Sequence, residues 1–74
     1  MDSLMKDWVR IYASTDPGKA AIFKGNLEEQ GIPAVILNKQ DSSYVFLGKV
    51  EIHVPAERAA EAKALVEEMD RNVN

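Results

Sequence analysis

Lys49-Val50-Glu51-Ile52-His53-Val54 is the stretch on which the fold turns. Apolar and polar residues alternate along it, the signature of a half-buried strand. Val50, Ile52 and Val54 pass to a core face, and Lys49, Glu51 and His53 to the opposite one. Pro55-Ala56-Glu57 then opens a helix whose apolar stripe is Ala59, Ala62, Leu65, Val66 and Met69. Its other face carries Arg58, Glu61, Lys63, Glu67 and Glu68, as a solvated amphipathic helix does.

Working back from that strand, the chain is extended from Tyr44, with Gly48 marking a bulge or bend. Lys39-Gln40-Asp41-Ser42-Ser43 is turn material, since Asp and Ser side chains bond nearby backbone amides. Ile32 to Asn38 is a further strand, entered through Pro33, which is tolerated at a strand start or edge. Before it, Ser14-Thr15-Asp16-Pro17 starts a helix: Asp16 suits the N-cap, and Pro17 suits the first helical position, where a missing N–H costs nothing. Ala20, Phe23 and Leu27 lie at helical spacing, and Gly31 supplies the left-handed residue that ends the helix. Gly25 stands inside this helix against propensity, and a close approach of helix to sheet is the expected reason. Trp8-Val9-Arg10-Ile11-Tyr12-Ala13 alternates as the first strand, with Val9, Ile11 and Ala13 to one side and Trp8, Arg10 and Tyr12 to the other.

The expected order is therefore strand, helix, strand, strand, helix. This is an α+β fold, a ferredoxin-like split β-α-β (β-α-β-β-α) lacking the last strand, with a three-stranded antiparallel sheet in the order 2-3-1 and both helices on one face. An open sheet face and an open edge follow from that architecture, and both invite a covering partner.

Bulk properties narrow the function classes. Seventy-four residues make one domain, 1–74, with an ordered core of about 7–69, and only a thin core is within reach of a chain this short. Nine basic against twelve acidic residues give a net charge of −3, which disfavours nucleic acid and anionic membranes. The absence of cysteine excludes disulfides, thiolate catalysis and Cys-based metal centres. No apolar run approaches the roughly 20 residues of a membrane span, and the first residues do not read as a signal peptide. A cytoplasmic protein is expected.

Several words of the sequence together resemble one bacterial family. They are Ser14-Thr15-Asp16-Pro17, Leu27-Glu28-Glu29-Gln30-Gly31-Ile32-Pro33-Ala34-Val35, Leu37-Asn38-Lys39-Gln40-Asp41-Ser42-Ser43-Tyr44 and Gly48-Lys49-Val50-Glu51-Ile52-His53-Val54-Pro55. The family is that of small domains described as putative prokaryotic signal-transducing proteins, and the resemblance runs from about Trp8 to Met69. It implies a regulatory role and a PII-like, ferredoxin-like core. Compared with PII proteins this chain is shorter, without the long regulatory loop or the closing strand, so a nucleotide-binding trimer is not implied.

Two surfaces are candidates for recognition. The hairpin word Asn38, Lys39, Asp41, Ser42, Ser43 and Tyr44 concentrates an amide, a cation, a carboxylate, two hydroxyls and a phenol on a loop, where binding groups are often displayed. Turn propensity alone also accounts for its Asn, Asp and Ser residues. The open sheet face, with Trp8, Arg10, Tyr12, Glu51 and His53 beside Lys49, suits self-association or a protein partner, because aromatic residues and Arg are enriched in interface cores. Its aromatic and cationic mixture also invites comparison with single-stranded nucleic-acid platforms, which the net charge opposes. His53, the one histidine, lacks the companions a metal site needs. No nucleophile elbow, P-loop or glycine-rich phosphate cradle is present, and Asp16-Pro17-Gly18-Lys19 lacks the spacing of a Walker motif. The expectation is a non-enzymatic domain without cofactor or metal, a homo-oligomer such as a dimer or a partner-binding module. A small-ligand sensor for a metabolite or nucleotide is the alternative.

Overall fold

The computed structural model describes residues 7–39 and 49–72, and the structural statements that follow concern these. Strand β1 spans Trp8–Ser14, helix α1 Pro17–Glu29, strand β2 Val35–Lys39 and strand β3 Lys49–Pro55. A short 3-10 turn, Ala56–Arg58, leads into helix α2, Ala59–Asn72. The strands form one antiparallel sheet in the order β1-β3-β2, with β3 in the centre, as the sequence pattern predicts.

Both helices lie on the Val50/Ile52/Val54 side of β3. Ala20, Phe23 and Leu27 of α1 and Ala62 and Val66 of α2 join those three residues, with Ile32 and Ala34, in a single buried cluster. Phe23, Leu27, Ile32, Ile52 and Val54 are its largest fully buried members. Each removes enough apolar surface from water to contribute about 1.5–3 kcal/mol.

The ends of α1 show how local chemistry sets an element's length. Asp16 Oδ1 accepts from the amides of Gly18 at 3.0 Å and Lys19 at 3.2 Å, and the Ser14 hydroxyl accepts from the Asp16 amide at 2.9 Å. At the other end Gly31 has φ +84°, a left-handed conformation that suits glycine. There the Gly31 amide donates to the Glu28 carbonyl at 3.0 Å and the Ile32 amide to the Leu27 carbonyl at 2.9 Å. This is a Schellman stop, with its usual apolar pair, Leu27 and Ile32, both buried. Arg58 Nη1 donates to the Gly31 carbonyl at 3.2 Å, tying the start of the second helical segment to the end of the first.

Two expectations are corrected. The second strand begins at Val35 rather than Ile32. Pro33 has no N–H for the ladder, and the segment before Val35 instead buries Ile32 and Ala34 beneath the sheet. Gly25 is not in a close approach: a Cβ at that position meets no atom within 4 Å.

Candidate recognition face

The sheet's second side is set by the register of β3. Residues directly opposite one another in antiparallel strands project to the same side. Glu51 stands opposite Ala13 of β1 and Leu37 of β2, and His53 opposite Arg10 and Val35. Trp8 faces Pro55, and Lys39 occupies the register position opposite Lys49. Neither helix contributes to this side, so its polar alternation is that of a sheet facing away from the core.

Strand β1 does not keep its simple alternation. The register slips between Arg10 and Tyr12, so Arg10 pairs with His53 and Tyr12 with Ile52, leaving Ile11 as the extra residue of a bulge. Ile11 and Tyr12 both pack against the core as a result. The Tyr12 ring meets Phe23 edge to face, with centroids 5.1 Å apart and planes at 66°, a favoured aromatic geometry. The expected placement of Tyr12 beside Trp8 and Arg10 is therefore corrected: it is a core-facing residue. Ala13 moves the other way, to the open side opposite Glu51. Two consecutive apolar residues, Ile11 and Tyr12, are the only trace of this slip in the sequence.

At the centre of the face, one carboxylate joins two basic side chains. Arg10 Nη1 donates to Glu51 Oε2 at 3.2 Å, and His53 Nε2 lies 3.1 Å from Glu51 Oε1. An ionised carboxylate only accepts, so the imidazole Nε2–H is the donor in this pair. The Glu51 side chain is 8% exposed and that of His53 18%, whereas Arg10 remains 59% exposed. Burying a carboxylate is costly without partners, and Glu51 has one on each oxygen. No buried side-chain nitrogen or oxygen among the described residues lacks a hydrogen bond. Around the network lie half-buried Trp8 and Val35 and exposed Leu37, at 37%. The result is a satisfied polar centre with an apolar margin.

The hairpin word divides. Asn38 is exposed and stands opposite Val50, on the helix side of the sheet, while Lys39 occupies the alternate register position. Asp41, Ser42, Ser43 and Tyr44, and the expected bulge at Gly48, lie outside the described residues. Elsewhere, a concavity of about 480 Å³ at the start of α1 is lined by Asp16, Gly18, Lys19 and Ile22. The Asp16 carboxylate already occupies the helix amides there, so the helix start carries its own anion. Lys19 reaches across to Asp70 of α2 at 3.0 Å, and that hydrogen bond raises the lysine pKa above its usual 10.5. Among the described residues no three His, Cys, Asp or Glu converge as metal ligands, and no helix is long and apolar enough to cross a membrane.

No curated protein and no solved structure gave a significant match to the chain. A family model does: the family described as "Putative prokaryotic signal transducing protein" matches residues 8–70, a span from the first residue of β1 almost to the end of α2. The chain belongs to that family of small prokaryotic domains.

Proposed function

We propose that this chain is a non-catalytic, cytoplasmic regulatory domain that docks a protein partner, or a second copy of itself, on the open sheet face and the adjoining hairpin. The observation that supports this reading is the make-up of the face. Trp8, Val35 and Leu37 flank an Arg10–Glu51–His53 network whose hydrogen bonds are made within the domain. Aromatic residues and Arg in an apolar margin are what interface cores favour. Internally paired charges add register and specificity at a docking surface without leaving an uncompensated group behind. The family's signal-transducing description and the cysteine-free composition accord with such a role inside the cell.

The test compares wild type with Trp8→Ala in two measurements. One is sedimentation velocity over a range of protein concentrations, and the other is stoichiometric complex formation with proteins recovered from the native cytoplasm. Loss of self-association or of a one-to-one complex in Trp8→Ala, with the melting temperature nearly unchanged, is the expected result. Retention of both by the variant overturns the reading. Alanine at Lys39, Asp41 and Tyr44 applies the same criterion to the hairpin.

A further inference from the structure

The two layers of the domain differ in the sign of their charge. Among the described residues, register places Arg10 and Lys49 on the open face with a single carboxylate, Glu51. In the helical layer, residues 17–29 and 56–72, five Lys or Arg stand against seven Asp or Glu. Within a chain of net charge −3, the described residues of the sheet face thus carry more cations than anions. Arg10 spends one N–H on Glu51 and keeps most of its side chain in water. Lys49 is exposed and has no ion-pair partner among the described residues. Lys39 stands opposite Lys49 in the register.

We propose that the occupant of this face is an acidic protein segment, with carboxylates for the Arg10 end and the Lys49 end and an apolar side chain for Leu37 between them. This rests on the face being a docking surface and names the partner's chemistry. From Lys49 to His53, the residue beside Arg10, is four steps along β3. At about 3.3 Å per residue the two cationic ends are about 13 Å apart. An extended partner spans that distance with acidic residues about four positions apart. Glu51, already bonded to Arg10, shows the geometry by which a carboxylate meets this guanidinium.

The full chain is titrated with a short synthetic peptide of repeating Glu-Ser-Leu-Ser, which brings glutamate four positions from glutamate with leucine between them on the same side of an extended chain, with its counterpart carrying lysine for glutamate, and with a short oligothymidylate. Trp8, the only tryptophan, reports occupancy of the face through its fluorescence. The proposal expects a saturable Trp8 response to the acidic peptide alone, lost as NaCl rises from about 0.05 to about 0.5 M. Lys49→Glu weakens that binding about tenfold, as reversal of a charge at a screened surface pair does. Lys63→Glu, which changes the net charge equally but lies exposed on α2, leaves it unchanged. Equal weakening by both variants overturns the proposal, because net charge alone then accounts for the binding. Preference for the oligothymidylate overturns it in favour of nucleic acid. No response to any probe, with concentration-dependent self-association abolished by Trp8→Ala, overturns the acidic partner while the docking reading stands. No response and no self-association, with every complex retained in Trp8→Ala, overturns both.

Discussion

Replacing Gly25 by alanine should stabilise the domain, and the size of the gain follows from the geometry. Gly25 lies in the interior of α1, which runs from Pro17 to Glu29, and among the described residues only Gly31 has a positive φ. The new methyl group meets no atom within 4 Å. It therefore causes no clash, and packing against other elements adds nothing. What remains is the helix preference of alanine over glycine, about 1 kcal/mol, which arises from reduced backbone freedom in the unfolded chain. For a domain of this size that corresponds to a rise in melting temperature of about 4–8 °C. Urea unfolding followed by circular dichroism should show a higher midpoint with an unchanged slope, since the surface exposed on unfolding is the same. A destabilised Gly25→Ala variant would refute the reasoning and restore the close helix–sheet approach that the sequence suggests. An unchanged midpoint would mean that α1 contributes its propensity to neither state.

Four further outcomes are expected. Asp16→Ala removes the acceptor for the Gly18 and Lys19 amides and should cost about 1 kcal/mol by denaturant titration, with Asp16→Ser recovering most of it. Tyr12→Ala should cost about 2 kcal/mol by the same measurement, because the ring packs edge to face on buried Phe23. Trp8→Ala, at the face opposite the core, should cost clearly less, and equal losses would argue against the bulge. The Glu61 carboxyl, hydrogen-bonded by Arg58, should titrate below its ordinary 4.5 in a carbon-detected NMR titration and return to it in Arg58→Gln. A pKa lowered by folding means that this pair's small stabilising effect is present above pH 4.5 and fades as the pH falls through the folded value.

The elements of the fold were legible because each carries its own periodicity. Val50, Ile52 and Val54 alternate strictly, and Ala20, Phe23 and Leu27 keep helical spacing, so their buried faces are set by local pattern. Asp16 and Gly31 likewise act within one turn of chain, and both ends of α1 stand where those residues imply. What could not be read depends on partners distant in sequence. The bulge at Arg10–Tyr12 exists only relative to His53 and Ile52 across the ladder. Without that register, Tyr12 looks like a companion of Trp8 rather than of Phe23. The burial of Glu51 depends in the same way on Arg10, more than forty residues earlier. Of the face residues, Trp8, Arg10, Glu51 and His53 come together as the alternation predicts, and Leu37 joins them through a register that alternation alone does not specify. The open space around Gly25 reflects where α1 rests on the sheet, which no property of the helix itself encodes.

Because the chain has no cysteine, a single one can be introduced wherever a probe is wanted. Leu37→Cys carries a photo-crosslinker on the open face and Glu67→Cys carries it on the outer side of α2, both at exposed positions. Irradiation in living cells followed by gel analysis asks directly which side of the domain is occupied. A discrete adduct from Leu37→Cys, absent from Glu67→Cys and abolished by Trp8→Ala, is the predicted result. An adduct from Glu67→Cys alone, or none from either position, would contradict the assignment of the sheet face as the surface through which this domain acts.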